Sequence, residues 1–394
     1  MEPLLRIGLV CPHDLGCYRG MLRGACQYAQ TKPDWVLTPA PPDRRAIAQL
    51  RQLDCRGLIV HVQDRQLADM LRNCREPLVN IATVVPDLPF RRVTMDLAES
   101  GRVAARHLLD CGFRQFGFLG HAWHEYSVLR EAGFCEVIRA AGHSVTCHHE
   151  RSGMNYPPRG RLWRLGSRVQ KWLASLPKPI GIFVPSDEWS MELSEACREM
   201  RLRVPDQLAI LGTDNDDLLC NMARPTLSSV AFPAERVGYE AAKLLDRLLH
   251  NEEDAPHEVL LPPGGVAARQ STDVLAIDDA DVAAAVRFIR QRADTPLRVD
   301  DVVEHVAVAR RSLDRKFQQS LQRGVGEEIR RAHVDRARML LTGTEMSVAA
   351  VAERSGFSDL RQLSTVFHQW TGMTPTAYRR HVRGETGLRS DGSL

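Results

Sequence analysis

The 394-residue sequence contains no apolar run long enough to cross a membrane, which takes about 20 consecutive apolar residues as a helix. No secretory leader is expected, since Met1 to Arg6 run directly into the strand-like Ile7-Gly8-Leu9-Val10. A cytoplasmic location is expected. All ten cysteines precede Asn221 and none stands in a CxxC pair or a zinc-type spacing. That excludes a disulfide framework and a zinc finger, and it predicts reduced, partly buried thiols. His143 and the pair His148-His149 have no carboxylate or thiolate at ligand spacing along the chain, so they read as a solvated loop and no metal is expected. Also missing are a Gly-rich phosphate loop, a nucleophile elbow and a dinucleotide fingerprint; Gly112 to Gly120 lacks the GxGxxG spacing. These absences argue against an enzyme, and no cofactor is expected.

What is present is uneven charge. The whole chain carries a formal +3, yet residues 282–394 hold 19 Arg and Lys against 13 Asp and Glu, which leaves the remainder at −3. A near-neutral front joined to a basic tail suits one module that reads something other than DNA and another that neutralises phosphates.

The tail contains two helix-turn-helix patterns. In the second, Ser347 is placed to cap a short helix with Val348, Val351 and Ala352 facing inward. Gly356 supplies a left-handed turn and Ser358 caps the next helix. Along that helix Leu360, Leu363, Phe367 and Trp370 recur at i, i+3, i+7 and i+10 as one buried stripe. Arg361, Gln362, Thr365, His368 and Gln369 fall on the opposite face, where they can meet base edges and phosphates in a major groove. In the first pattern Val299, Val302, Val303 and Val306 form the apolar face of a short helix. Leu313, Phe317 and Leu321 then back a second helix that projects Arg310, Arg311, Ser312, Arg315 and Gln319. Between the patterns, Glu327 to Leu341 is helical in period and connects them rigidly.

The run Gly356-Phe357-Ser358-Asp359 to Val366-Phe367, with Gly372-Met373-Thr374-Pro375 and Tyr378-Arg379-Arg380, resembles the AraC-type regulators. The resemblance implies promoter DNA as partner, activation with RNA polymerase contact, and phosphate contacts from Arg379 and Arg380. One departure stands out: Ala309 sits where that family usually has a serine cap, at a cost of about 1 kcal/mol of helix stability.

In the front half, short apolar runs at Leu5–Val10, Trp35–Thr38, Gly57–Val62, Leu78–Ala82, Phe116–Leu119, Gly181–Val184 and Leu208–Gly212 alternate with amphipathic stretches. Those at Arg19–Gln30, Ala98–Cys111 and Trp189–Met200 are of helix length. This is the pattern of parallel sheets covered by helices on both faces, where ligands bind beyond the carboxyl ends of strands. Asp14, Asp96, Asp187 and Asp214 all follow strand-like runs, each readable as a helix cap or as a ligand contact.

The order of elements over residues 5–270 resembles the sensor core of LacI/GalR regulators and type I periplasmic binding proteins. Val204-Pro205-Asp206-Gln207 through Gly212-Thr213-Asp214-Asn215, and Gly238-Tyr239-Glu240-Ala241-Ala242, carry the likeness most strongly. A LacI-like sensor followed by an AraC-type tail is similar to the layout of xylose-operon regulators. The resemblance implies an α/β two-subdomain sensor at 1–270, a linker at 271–281, an all-α AraC-type domain with two helix-turn-helix motifs at 282–384, and a disordered tail at 385–394. It further implies a homodimer whose subdomains, residues 1–96 with 231–265 and residues 97–230, close on a sugar, D-xylose or a related one. Asp14, Tyr18, Arg19, Asp96, Arg130, Asp187 and Asp214 are the sugar-binding candidates. Trp163 or Trp189 would cover the ring, and Trp163 reads equally well as packing. Ser186 stands where many LacI-like proteins have Asn. A sugar-acting enzyme using the same carboxylates is the competing class.

Arg311 and Arg315 lie one turn apart on the first recognition helix, so truncating the one that reaches a guanine should relax specificity at one base pair by about 1–3 kcal/mol. Arg380→Ala should instead weaken all sequences equally and flatten the salt slope by about 1. Binding assays on operator and random DNA across a salt series separate the two. Equal losses on both DNAs in Arg311→Ala and Arg315→Ala would mean that the first helix reads no bases.

Overall fold

The computed structural model describes residues 4–12, 16–150, 165–273, 279–344 and 346–383. The first half begins with β1 (Leu5–Val10), α1 (Gly16–Ala29), β2 (Trp35–Ala40), α2 (Arg44–Gln52), β3 (Cys55–Val60), α3 (Arg65–Leu71), β4 (Leu78–Asn80) and β5 (Arg91–Met95). The chain then crosses to α4 (Leu97–Asp110), β6 (Phe116–His121), α5 (Glu125–Ala140), β7 (Val145–Glu150), α6 (Ser167–Ser175), β8 (Ile180–Phe183), α7 (Asp187–Glu199), β9 (Leu208–Asp214), α8 (Asp217–Met222) and β10 (Ser228–Ala231). It returns through α9 (Ala234–Leu249) and β11 (Glu258–Leu261), and crosses once more to β12 (Val266–Ala267).

Two six-stranded sheets result among the described residues, ordered β11-β5-β4-β3-β1-β2 and β12-β10-β9-β8-β6-β7. Every pairing is parallel except β10 with β12. Each sheet is apolar on both faces, as the unbroken Ile/Val/Leu runs dictate. One face of the first packs on α1 and α9 through Met21, Val237, Ala241 and Leu245, and the other on α2 and α3 through Ile47, Leu50, Leu67 and Leu71. The second is covered likewise by α6 and α7 on one side and by α4 and α5 on the other.

All seven strand-like runs of the front half form strands. The reading in sequence overlooked β7, β10, β11 and β12, which are short or polar and carry little alternating signal. His148 and His149 therefore do not lie in a solvated loop. They belong to β7, the outer strand of the second sheet, where His149 Nε2 meets Glu131 Oε2 at 2.7 Å. Within the segment expected as a linker, Ser271 and Thr272 are buried in a 3-10 turn bound to β10 through Ser228.

The tail is all helical: α10 (Ala280–Gln291), α11 (Val299–Val306), α12 (Arg310–Leu321), α13 (Val325–Gly343), α14 (Val348–Glu353), α15 (Leu360–Thr371) and α16 (Pro375–Arg383). It holds two small cores, and α13 contributes to both. Val325 and Ile329 join Val302, Leu313 and Phe317 around α10 to α12, while Val334, Ala337 and Leu341 join Val351, Leu363 and Phe367 around α14 and α15. Ser347 caps α14 by accepting from Ala350 N at 3.1 Å, and Gly356 adopts φ +72° as the turn requires. The cap of α15 is Asp359, one residue later than expected, accepting from Gln362 N at 2.7 Å. Ser358 donates its hydroxyl to that cap instead. The apolar stripe is also shorter than expected, since Leu363 and Phe367 are fully buried but Leu360 and Trp370 are exposed at the ends. Ala309 leaves α12 without a side-chain cap. The segment expected to be a disordered tail, 385–394, lies outside the described residues.

One helix pair sets the geometry of the second half. A Cβ on Gly101 of α4 would lie 2.0 Å from the Arg130 carbonyl oxygen of α5, and one on Gly133 of α5 would lie 2.0 Å from that of Ala98. Backbone therefore rests on backbone, and neither position can hold a larger residue unless the helices part. Gly101→Ala should destabilise the chain by about 1–3 kcal/mol, the usual range for overpacking, readable as a lower denaturant midpoint. A variant as stable as wild type would show that the helices separate freely.

Candidate functional site

Loops at the carboxyl ends of the two sheets come together where the two halves face each other. Gly16 N, opening α1, donates to Asp216 Oδ2 at 2.8 Å, and Tyr126 N, opening α5, donates to Thr83 O at 2.9 Å. Arg92 at the start of β5 pairs with Glu125 at 2.6 Å. These contacts hold the two halves against each other.

From the first half, His61 follows β3 and shares a hydrogen bond of 2.8 Å between its Nε2 and the Tyr18 hydroxyl, ring edge to ring face. Burial pushes its pKa down to about 4, so the imidazole is neutral at physiological pH. From the second half, His121 ends β6 and lies 4.2 Å, centroid to centroid, from Trp189 on α7 and 4.3 Å from His124. Burial, with help from His124, lowers it to about 4 as well.

Arg130 is buried on α5. It donates to the Pro185 carbonyl, reaches Asp214 Oδ1 at 3.4 Å and sits 5.5 Å from the Tyr126 ring centre. Asp214 ends β9 with φ +109°, and burial raises its pKa to about 7 against the opposing pull of Arg130. Asp187 is deeper still. Its two oxygens accept from Ser229 Oγ at 2.6 Å and Asp216 N at 2.8 Å, while burial and then the charge of Asp214 push its carboxyl upward.

Four polar atoms around these loops are buried with no protein partner among the described residues: His61 Nδ1, His121 Nδ1, Trp123 Nε1 and Arg130 Nε. A buried polar group without a partner costs about 1–3 kcal/mol. The set combines neutral donors and acceptors, one guanidinium, one carboxylate and flat apolar rings. Such a lining suits an uncharged, hydroxyl-rich molecule.

Of the residues singled out in the sequence, Tyr18, Arg130 and Asp214 are brought to these loops. Asp96 serves as the cap of α4, with Oδ1 accepting from Glu99 N at 2.8 Å, and Asp187 has both oxygens engaged inside the protein. Arg19 is exposed on α1, and Asp14 and Trp163 lie outside the described residues. The sequence reading missed His61, His121, Trp123, His124, Tyr126 and Asp216. A signal existed for the histidines, since His61 and His121 each terminate or directly follow an apolar strand run.

On the tail, Arg311, Arg315, Arg361, Thr365 and His368 are exposed and Ser312 is half-buried. Arg310 pairs with Asp300 at 3.1 Å. Gln362 has its amide oxygen engaged by Ser358 N at 2.8 Å and keeps its amide NH2 for other partners. Arg380 is exposed, whereas Arg379 turns back to the Leu341 carbonyl at 3.4 Å. Lys316 is fastened to Asp279 and Asp281 at 2.9 and 2.5 Å, which ties α12 to the start of α10.

The model of a periplasmic binding protein-like domain matches residues 105–272, and that of a helix-turn-helix domain matches residues 302–381. The chain is 27% identical over 385 residues to the xylose operon regulatory protein of Escherichia coli (strain K12), covering 95% of this chain and 96% of that one. It is also 27% identical over 339 residues to the protein of the same name from Haemophilus influenzae, covering 84% and 86%. A solved structure described as the xylose-binding transcription activator xylR superposes with a TM-score of 0.60 at 25% identity, covering 96% of this chain and 98% of that one. The chain is a transcription regulator, not an enzyme.

Among the described residues, the two modules of this regulator are clasped around the end of α4. Asp110, the last residue of α4, pairs with Arg331 of α13 and lies 3.9 Å from Arg323, which is itself held by the buried Glu328 at 2.6 Å. Arg290 of α10 donates to the Asp110 carbonyl at 3.3 Å, satisfying a helix-end acceptor. Arg114 adds a hydrogen bond to the Ser320 carbonyl at 2.7 Å. The helix clasped here is the one that starts directly after β5 at the Asp96 cap, where the two halves meet.

Proposed function

We propose that the regulator is a cytoplasmic, sugar-responsive transcription activator, with a sensor at 1–270 that binds D-xylose or a related sugar and a DNA-binding module at 282–384 that engages promoter DNA and contacts RNA polymerase. The observation that carries the sugar reading is the group of four partnerless polar atoms beside the Arg130–Asp214 pair. A polyol supplies donors and acceptors in the same small volume, and the indole of Trp123 or Trp189 offers a face for its carbon skeleton. The names of the relatives, which speak of xylose, favour a pentose.

Binding works by population shift. Sugar that bridges the halves favours the closed cleft, and α4 conveys the movement of its cleft end to Asp110 and thence to α13. In a homodimer, two such shifts would reset the spacing of the paired DNA-binding modules. Differential affinity for the closed form supplies the energy.

Calorimetric titration with pentoses and hexoses tests the first part. A pentose is expected to bind, and Asp214→Ala should weaken it by about 10-fold or more through loss of a charged hydrogen-bonding group. No heat with any sugar, or unchanged affinity in the variant, would overturn the sugar site.

Asp110→Ala tests the transmission. Sugar affinity and ligand-free operator affinity should each stay near wild type, while the sugar-induced change in operator affinity, about 5–150-fold for such couplings, should collapse. A full response in this variant would mean that coupling runs elsewhere.

A further inference from the structure

The outer edge of the second sheet carries a side-chain cluster that neither the cleft nor the DNA surface uses. Glu131 and Cys135 are four residues apart on α5 and so project from one face of the helix. Cys147 and His149 are two residues apart on β7 and so project from one face of the strand. Helix and strand bring the two faces together. One ligand atom from each of Glu131, Cys135 and Cys147 lies within 4.8 Å of the others, and His149 Nε2 lies 2.7 Å from Glu131 Oε2.

We propose that Glu131, Cys135, Cys147 and His149 form a tetrahedral site for a thiophilic divalent cation of the zinc class. Two sulfurs, one imidazole and one carboxylate make a donor set that suits Zn(II) and selects against Mg(II) and Ca(II), which prefer oxygen alone. With bonds of about 2.0–2.3 Å, tetrahedral donors stand ~3.3–3.8 Å apart, so Glu131, Cys135 and Cys147 need only small side-chain adjustments, while the exposed His149, hydrogen-bonded to Glu131, has to turn inward to complete the set. Both thiols are free, and Cys135 is buried while Glu131 and Cys147 are half-buried and His149 lies at the rim. An ion can therefore enter from the rim and be held in a partly dry pocket. The cluster escapes a reading along the chain because its ligands come in pairs from two elements, and neither pair alone has a metal-type spacing.

The position gives the site a purpose. Glu131 is the residue after Arg130, so a bound ion would pin α5 to the edge strand one residue from the guanidinium that lies beside Asp214.

The test uses the reduced full-length chain without air, titrated with Co(II) and then Zn(II). One equivalent of Co(II) should produce a near-ultraviolet thiolate charge-transfer band with the visible bands of a tetrahedral site, and Zn(II) should bleach both. Cys147→Ser should diminish the charge-transfer band. His149→Ala, at an exposed position that does not threaten folding, should weaken Zn(II) binding by about tenfold or more. The proposal is overturned by the absence of a charge-transfer band in wild type, by an unchanged band in Cys147→Ser, or by unchanged Zn(II) affinity in His149→Ala. Formation of a Cys135–Cys147 disulfide in a chain that takes up no Co(II) would overturn it too and assign the pair to redox chemistry.

Discussion

The contact on which the rest of the molecule depends is the backbone-to-backbone approach of α4 and α5. Two glycines facing two carbonyl oxygens leave no side chain between the helices, so neither can shift without the other. That single constraint places Arg130, fixed on the same turn of α5 that Gly101 touches, at the correct depth to meet Asp214 and the Pro185 carbonyl. It also makes α4 a stiff member of 14 residues, about 21 Å long, with the cleft at its capped start and Asp110 at its finish. Side-chain packing with slack would absorb a small movement; close-packed backbone would pass it on.

Much of this architecture was legible in the residues. Unbroken apolar runs announced buried parallel strands, and the tandem apolar stripes of the tail announced two helix-turn-helix units. What periodicity could not supply was the short and polar pieces. β7, reading Val-Thr-Cys-His-His-Glu, owes its existence to pairing with β6 and not to its own propensity, and β12 holds only two residues. The displaced cap at Asp359 has a simple cause: Ser358 and Asp359 are both competent caps, and the choice depends on where the Gly356 turn delivers the chain.

The site was legible in part, and the carboxylates that engage the protein itself share a reason for being hard to tell apart. A carboxylate after a strand can cap a helix, hold a loop or face a ligand, and sequence gives the same letter for all three. Asp96 turned to its own helix and Asp187 to Ser229 and the Asp216 amide, while Asp214 was left beside Arg130. The histidines and Trp123 are a different case, since their importance lies in unpaired ring nitrogens at the bottom of a fold that only long-range packing creates.

The sharing of α13 between two cores gives the tail the character of a ruler. Its 19 residues extend about 28 Å, and each core grips its own end, so the two recognition helices are locked both in distance and in rotation about the connector. Inserting one residue between Ile329 and Val334 would turn one unit by about 100° relative to the other. DNA imposes a matching demand, because a target shifted by half a helical repeat presents its second major groove on the far side. With both units seated in major grooves, such a tail would tolerate base changes within a groove far better than a change in the number of base pairs between them.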